Sequence, residues 1–317
     1  MKLFDSAVTR AALPFDALIG ALESMFVTGC EVPARHVHSI AGAGGEQGKV
    51  LIMPAWQPGG YMGIKTVNIF PGNAARGMPG LFSTYILYDA ATGEPLAQID
   101  GNEITSRRTA AASALAARYL AREDAGRLLV VGSGRVASLL PHAYRAVRPI
   151  REVVVWSRSH EAALRLAAEL SADGFDARAS ADLEAAARNA DIVTCATLAT
   201  EPVIRGEWLQ AGSHLDLIGS FTPQMREADD ACFAGARLYV DTLEALQKSG
   251  DLLGPMARGV FAPADIGGTL EALCRGEVAG RRGSAERTVF KSVGSALEDL
   301  AAAILVMNSA GPDGVKL

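Results

Sequence analysis

The feature that most constrains the fold is a glycine-rich segment that joins a short apolar strand to a helix. The residues from Leu128 to Gly132 read LLVVG, and those from Arg135 to Val147 have a helical pattern. The junction reads Gly-Ser-Gly-Arg-Val-Ala, a G-x-G-x-x-A motif. Between a strand and a helix this motif is typical of dinucleotide-binding domains, whereas an isolated copy is weak evidence. A glycine-rich turn without a ligand is the alternative.

Each residue type in the motif suits the pyrophosphate of a dinucleotide. Gly132 permits a tight turn, Gly134 lets the backbone approach the phosphates, and Ala137 keeps helix and strand close. The free N–H groups at the start of the helix favour an anion. We therefore predict a cofactor-binding segment made of Gly132, Ser133, Gly134, Arg135, Val136 and Ala137.

The end of the next strand indicates which nicotinamide cofactor is preferred. An acidic residue there would hydrogen-bond the ribose of NAD, but the strand EVVVW is followed by Ser157, Arg158 and Ser159. A guanidinium with neighbouring hydroxyls suits a 2′-phosphate. The sequence predicts a preference for NADP(H), with NAD(H) as the second choice. The alternative is that Arg158 is a solvated surface residue.

The region around this motif predicts the fold class. Apolar strands alternate with helices from residue 128 to residue 241, in the segments LLVVG, EVVVW, DIVTCAT, HLDLIG and ARLYVD. This alternation implies an α/β fold with a Rossmann-type, doubly wound parallel sheet. We expect this domain to span residues 122–292.

The remaining chain predicts a second domain of α+β type. A helix is expected at 15–26, strands at 49–56, 61–70, 84–88 and 95–99, and a long alanine-rich helix at 103–121. A last amphipathic helix at 295–309 is expected to return to the same domain. This domain is therefore predicted to be discontinuous, built from residues 1–121 and 293–317.

Composition excludes several classes of function. The 317 residues carry a formal net charge of -5, which does not favour nucleic acid. No apolar run approaches ~18 residues, so no membrane span is expected. The N-terminal MKLFDSAVTR does not read as a signal peptide, and the four cysteines lack metal-ligand spacing. We predict a cytoplasmic protein without a metal site.

Three cations occupy positions where their side chains should point inward. Lys65 shares a strand face with Val67, and a lone ammonium there is costly unless it is paired. Arg108 continues an apolar stripe of the long helix, and Arg35 precedes a predicted strand. Arg107 lies on another helix face and is expected to be solvated. The inward cations need an anion, either a substrate carboxylate or an internal Asp or Glu.

The order and spacing of the segments resemble the ornithine cyclodeaminase/mu-crystallin family along nearly the whole chain. The resemblance implies a Rossmann domain and a discontinuous domain that binds substrate and forms a homodimer. It also implies that Arg35, Lys65 and Arg108 hold the substrate carboxylate and that Thr109 lies near the cofactor. Thr197 and Gly219 are expected at the cofactor site as well. The matching segments are PARHV, GIKTVNIFPGN, TSRRTAAASALAARYL, VVGSGRVA, VVVWSRS, ADIVTCATLATEPVI, LIGSFTPQMREADD, SGDL and TVFKSVGSALEDLAAA.

One position departs from the pattern of several family members. Ornithine cyclodeaminases and archaeal alanine dehydrogenases of this family carry an Asp in the loop after HLDLIG, where this chain has Phe221. An aromatic ring cannot accept a proton or pair with a second ammonium group, which argues against ornithine cyclisation. The segment LIGSFTP…MRE resembles instead the branch that reduces Δ1-pyrroline-2-carboxylate or Δ1-piperideine-2-carboxylate to L-proline or L-pipecolate. Phe221 is therefore expected at the catalytic site, beside a flat substrate ring.

Three alternative functions stay open at this point. Two are enzymatic: ornithine cyclodeaminase, which makes L-proline and ammonia from L-ornithine, and an alanine dehydrogenase-like enzyme. The third is a cofactor-dependent ligand-binding protein similar to mu-crystallin. The donor of a proton to the imine nitrogen is also open, with Ser220, Thr222 and a bound water as candidates.

Overall fold

The computed structural model describes residues 1–42 and 45–309, apart from the side chains of residues 46 and 74. The chain divides into two compact units: Met1–Arg108 with Ser295–Leu317, and Thr109–Gly294. The first unit is therefore discontinuous. Its boundary with the second unit falls inside the long helix, earlier than the predicted residue 121. Beyond Arg108 the helix belongs to the second unit, where its Ser113 donates a hydrogen bond to buried Asp216.

The first unit is built on a six-stranded sheet. The strands follow the order β1-β6-β5-β4-β3-β2, and all neighbours are antiparallel except the parallel pair β1–β6. Its helices are α1 (Ser6–Ala12), α2 (Phe15–Thr28), the first part of α3 (Gly101–Leu120) and α10 (Ala296–Ser309). Its strands are β1 (Lys2–Phe4), β2 (His36–Gly42), β3 (Gly45–Trp56), β4 (Tyr61–Ile69), β5 (Leu81–Asp89) and β6 (Pro95–Asp100).

Helix α10 packs on strands β3, β4 and β5 of this sheet and on helix α2. Alternate residues of β4 are buried on that face, among them Gly63, Lys65 and Val67. The intervening residues, such as Ile64, are half-buried. The period of two in burial places the core between α10 and one face of the sheet.

The second unit contains a parallel sheet of eight strands in the order β13-β12-β14-β11-β10-β7-β8-β9. Strand β7 pairs with β8 on one side and with β10 on the other, so the strand order reverses beside β7. This confirms the predicted doubly wound α/β fold. The strands are β7 (Arg127–Val131), β8 (Glu152–Trp156), β9 (Asp176–Ala179), β10 (Ile192–Cys195), β11 (His214–Leu217), β12 (Arg237–Val240), β13 (Ile266–Thr269) and β14 (Thr288–Lys291).

Helices of the second unit connect these strands. Ser159 caps α5 by accepting a hydrogen bond from the amide of Ala162, and Asp182 caps α6 in the same way. Ligands of doubly wound sheets bind beyond the carboxyl ends of the strands, at the point where strand order reverses. The helices are the rest of α3, α4 (Arg135–Arg145), α5 (His160–Ala172), α6 (Leu183–Arg188), α7 (Ala245–Lys248), α8 (Gly250–Ala257) and α9 (Leu270–Cys274).

The longer predicted helices and strands are all present, with ends shifted by a few residues. Strands β1, β9, β13 and β14 and the short helices were not predicted. In the described residues no single helix is long and apolar enough to cross a membrane, although the bent pair α1 and α2 together passes on length and composition. The four cysteines are present as free thiols.

Candidate active site

Lys65 is buried in the middle of the first sheet. It pairs with Met53 of β3 and with Tyr85 of β5, and its Nζ lies 2.6 Å from Oδ2 of Asp299. Burial lowers the pKa of Lys65 to about 8, although the carboxylate of Asp299 opposes this shift. Placement on the buried face with Val67 confirms the prediction from strand alternation.

Arg108 joins the same charge network from helix α3. Its Nε donates to Oδ1 of Asp299 at 2.9 Å, and its Nη1 donates to Oε2 of Glu298 at 2.6 Å. Burial alone would raise the pKa of Asp299, but the charges of Lys65 and Arg108 outweigh it and lower that pKa. The structure therefore brings Lys65 and Arg108 together through acids of α10. The sequence left two kinds of anion open, a substrate carboxylate and an internal Asp or Glu. The structure shows the internal pairing.

Arg35 lies immediately before β2, as predicted, and is half-buried. The next residue, His36, pairs with Ile52 of β3. Met53, the residue after Ile52, pairs with Lys65 of β4. Arg35, the residue before His36, is therefore aligned with Met53 and Lys65 in one row across the sheet. Arg35 lies at the end of this row, two strands away from Lys65. The structure thus places Arg35 at the edge of the sheet beyond the buried ion pairs.

Arg107 is not the solvated residue that the sequence predicted. Its Nε donates to the carbonyl oxygen of Leu13 at 2.8 Å, and its guanidinium lies 4.5 Å from the ring centroid of Phe15. The helix face that carries Arg107 meets the segment between α1 and α2. That contact depends on tertiary packing, which helical periodicity alone does not reveal.

The sequence reasoning did not identify Glu298 and Asp299 as members of this network. Both are fully buried, in a helix whose other residues are apolar as far as Met307. The signal was present: adjacent carboxylates inside an apolar run need partners, as inward lysines do. Tyr85 was also missed. It is buried opposite Lys65, and its hydroxyl has no hydrogen-bond partner within the described part of the chain.

The glycine motif of the second unit has the geometry that the sequence predicted. Gly132 has φ +128, and a Cβ there would lie 2.7 Å from the carbonyl oxygen of Ala196 and 3.7 Å from Cβ of Ala137. A side chain at Gly132 is excluded by conformation and by space. Gly134 begins α4, where no side chain caps the helix and a Cβ would meet nothing within 4 Å. The open space at Gly134 suits a ligand close to the backbone.

The loop after β8 lies beside the glycine motif. Oγ of Ser133 lies 2.9 Å from Oγ of Ser157, which connects the two loops. Arg158 and Ser159 are exposed, and the Ser159 hydroxyl is used as the cap of α5. Arg158 is therefore accessible to a ligand held by the glycine motif. Thr109, a further predicted cofactor residue, is half-buried in α3.

Thr197 and Gly219 follow adjacent strands, β10 and β11, and Glu227 connects them. The Oε1 atom of Glu227 accepts from N and Oγ1 of Thr197, both at 2.7 Å, and its Oε2 accepts from N of Gly219 at 2.7 Å. Burial raises the pKa of Glu227 to about 7, opposed by the charge of Lys291 and by these hydrogen bonds. Sequence reasoning missed Glu227, and it also missed Asp251 and Lys291, which are buried beside it.

Phe221 lies in the loop after β11 and is 46% exposed, so its ring is available to a ligand. Ser220, by contrast, is fully buried. Its hydroxyl donates to the carbonyl oxygen of Met225 at 2.6 Å and lies 2.9 Å from Oγ of Ser249. Because its proton is used inside the loop, Ser220 is withdrawn as a candidate proton donor.

The comparisons with known proteins agree with this fold. The profile of the ornithine cyclodeaminase/mu-crystallin family matches residues 7–313. The chain is 37% identical over 308 residues to the Δ1-pyrroline-2-carboxylate reductase of Colwellia psychrerythraea, covering 96% of this chain and 97% of that protein.

Two solved structures have nearly the same fold. The Δ1-pyrroline-2-carboxylate reductase of Thermococcus litoralis, in complex with NADH and L-proline, matches with a TM-score of 0.91 and 31% identity over 97% of both chains. An archaeal alanine dehydrogenase dimer with bound NAD matches with a TM-score of 0.90 and 30% identity over 97% of this chain and 95% of that chain. The chain therefore belongs to the ornithine cyclodeaminase/mu-crystallin family.

Proposed function

We propose that the protein is an NAD(P)H-dependent reductase of small cyclic imino acids, converting Δ1-pyrroline-2-carboxylate or Δ1-piperideine-2-carboxylate to L-proline or L-pipecolate. The observation that carries this proposal is the likeness, over 97% of the chain, to a solved reductase that holds NADH and L-proline. The relative from Colwellia psychrerythraea has the same named activity.

The residues of the second unit fit a nicotinamide dinucleotide. The motif from Gly132 to Ala137 would hold the pyrophosphate, because the turn is tight and a Cβ at Gly134 would meet only open space. The uncapped N–H groups of α4 add a favourable field for the phosphates. When bound, the reduced cofactor supplies the hydride for the imine carbon.

The first unit would hold the substrate carboxylate with Arg35, Lys65 and Arg108. The acids Glu298 and Asp299 support this role because they fix the direction of both buried cations. Oriented cations can align a small carboxylate without further reorganisation, and such positioning can lower a barrier by several kcal/mol. Phe221 would pack against the flat ring of the imine.

The preference for NADP(H) is a finer part of the proposal. Exposed Arg158 and half-buried Ser157 lie in the loop after β8, where the ribose end of a dinucleotide is recognised. A guanidinium there favours a 2′-phosphate. The two solved relatives described above hold NADH and NAD, so NAD(H) is the alternative that kinetic comparison of the cofactors must test.

We also propose that the protein is a cytoplasmic homodimer formed through the first unit. Strand β2 is an edge strand whose Val37 and Ile40 are exposed, and Ile64 is half-buried on the sheet face opposite Lys65. Exposed apolar edges favour pairing with another chain. Light scattering after size-exclusion chromatography should give twice the mass of one chain, and the mass of one chain would contradict the dimer.

The decisive experiment is an assay of the purified protein with each cyclic imine and with NADPH or NADH. We expect oxidation of the reduced cofactor and formation of L-proline or L-pipecolate. Cofactor and ligand binding without turnover of any imine would instead support a binding protein of the mu-crystallin type and contradict the proposal.

An amino-acid dehydrogenase is the second candidate, favoured by the likeness to the archaeal alanine dehydrogenase. Phe221 stands at the position of the Asp that those enzymes carry, which favours the imine reductase. Incubation with L-alanine and oxidised cofactor should give no reduction of the cofactor. L-Proline and ammonia formed from L-ornithine would identify an ornithine cyclodeaminase instead.

A further inference from the structure

Glu227 connects two loops that leave the carboxyl edge of the parallel sheet. One of its carboxylate oxygens accepts from Thr197 after β10, and the other accepts from Gly219 after β11. The two loops also touch directly, because a Cβ at Gly219 would lie 2.0 Å from the carbonyl oxygen of Thr197. The carboxylate therefore fixes the separation of two adjacent loops at their roots.

The residues that follow these roots are unusually exposed for apolar side chains. Leu198, next to Thr197, is 78% exposed, and Phe221, two residues after Gly219, is 46% exposed. Both lie at the edge of the sheet where ligands of doubly wound folds bind. The positions of Leu198 and Phe221 therefore depend on Thr197 and Gly219, the loop residues that Glu227 holds.

Glu227 is itself held rigidly. Its backbone N–H and that of Ala228 donate to Oδ1 of Asp251 at 2.8 and 3.1 Å. Its carbonyl oxygen accepts from the amides of Val203 and Ile204. A side chain so fixed, with both oxygens used, can transmit its own position to the two loops.

We propose that Glu227 is a positioning residue of the cofactor site, which holds Leu198 and Phe221 against the nicotinamide half of the dinucleotide. The proposal rests on the proposed function, because it needs a nicotinamide cofactor in the second unit. The pyrophosphate is assigned to another loop, the one after β7. Loss of Glu227 should therefore disturb the reacting end of the cofactor more than its affinity.

The test uses the full-length enzyme and three variants. Glu227→Gln keeps the size but replaces one acceptor oxygen with an NH2 donor, which faces a backbone N–H that cannot reverse its direction. Glu227→Asp keeps both acceptors on a shorter side chain. Asp216→Asn is the matched control, because this buried carboxylate of the same unit accepts from the hydroxyls of Ser113, Thr194 and Tyr144. These hydroxyls can rotate to accept a hydrogen bond from the amide of the new Asn side chain, so the exchange keeps the contacts.

The measurements are kcat for the imine, the Kd of NADPH and of NADH from their fluorescence, and the melting temperature. Glu227→Gln should lower kcat at least about tenfold and change Kd by less than about threefold, because displacement at the reacting end costs rate rather than binding. Glu227→Asp should retain more activity than Glu227→Gln despite its shorter side chain. Asp216→Asn should keep kcat within about threefold of wild type.

Three results would overturn the proposal: wild-type kcat in Glu227→Gln, equal losses of kcat and cofactor affinity, or an equal loss of kcat in Asp216→Asn. If Glu227→Gln does not fold, Glu227→Asp decides alone, with a fall in kcat of at least about threefold expected at unchanged Kd. An unchanged kcat in that variant would contradict the inference. A wild-type protein that binds neither NADPH nor NADH would reject the proposed function itself and the inference with it.

Discussion

Asp299 lies between two buried cations, with Oδ2 2.6 Å from Nζ of Lys65 and Oδ1 2.9 Å from Nε of Arg108. Two of the cations proposed to hold the substrate carboxylate are therefore oriented by the protein's own acid before a substrate arrives. Desolvated charges are tolerated only when they are paired, so removal of the shared partner affects both cations at once. Asp299 thus connects the stability of the first unit to its proposed binding site.

Asp299→Asn should strongly destabilise the first unit. The amide removes the negative charge and leaves Lys65 and Arg108 buried with incomplete compensation. Loss of one partner of a buried pair costs ~3–5 kcal/mol of unfolding free energy, measurable by urea denaturation. The control is Asp124→Asn, whose 79% exposed carboxylate pairs with Arg122 and should cost at most ~1 kcal/mol. Similar small losses of unfolding free energy in both variants would contradict the role of Asp299 as the shared partner of Lys65 and Arg108.

Lys65 should give the reaction an alkaline limit. Burial lowers the pKa of Lys65 to about 8, so its ammonium is present below that pH and is lost as the pH rises through it. If the ammonium holds the substrate carboxylate, kcat/KM for the imine should fall above about pH 8. Lys65→Arg keeps the charge at every accessible pH, so this alkaline fall should disappear or move upward. The same alkaline fall in both proteins would assign it to another group.

The inward direction of Lys65 and Arg108 was predictable from the sequence, but their partners were not. Alternation along β4 places Lys65 beside Val67, and helical spacing places Arg108 on an apolar stripe. Asp299, by contrast, is 191 residues from Arg108 in sequence. Periodicity is a local property, and it does not tell which face of α10 meets which strand of the sheet.

The same limit explains the parts of the second unit that were missed. Gly132 and Ala137 act within one strand–turn–helix segment, so their roles follow from local chemistry. Glu227 acts by connecting loops after two different strands, which only the order of strands in the sheet brings together. Strand β14 lies between β11 and β12 although it comes last in the unit.

Arg35→Ala should separate substrate binding from stability. Arg35 is half-buried at the end of the Lys65 row, whereas Arg108 is ion-paired inside the core, where truncation would also destabilise the fold. We expect loss of about 2 kcal/mol of transition-state binding, roughly 30-fold in kcat/KM, with little change in melting temperature. Exposed Arg76 of the same unit is the control, and Arg76→Ala should keep kcat/KM. An unchanged kcat/KM in Arg35→Ala would remove Arg35 from the site.

Arg158→Ala should reduce discrimination between the two cofactors. A guanidinium that contacts the 2′-phosphate is used by NADPH alone, so KM for NADPH should rise about tenfold while KM for NADH stays nearly constant. Steady-state kinetics with both cofactors measures the ratio, and Arg151→Ala, at another exposed position of the same unit, is the control. A wild-type enzyme with equal or lower KM for NADH would already reject the predicted preference.

His214 should make the second unit sensitive to acid. It is fully buried, with Nδ1 2.9 Å from Oγ1 of Thr288, and burial together with the charges of Arg281 and Arg148 lowers its pKa to about 3. Between about pH 6.5 and pH 3 the unfolded chain binds a proton that the folded chain does not, so stability falls as pH falls.

His214→Asn should remove that part of the acid sensitivity, because the amide keeps a donor near Nδ1 and does not titrate. Wild type should lose about 2 kcal/mol more unfolding free energy than the variant between pH 7 and pH 5, as 1.4 kcal/mol corresponds to about one pH unit. Urea denaturation at both pH values gives the comparison. Exposed His160 provides the control, since His160→Asn should keep the wild-type difference. If His214→Asn also kept that difference, the acid sensitivity would have to come from other groups.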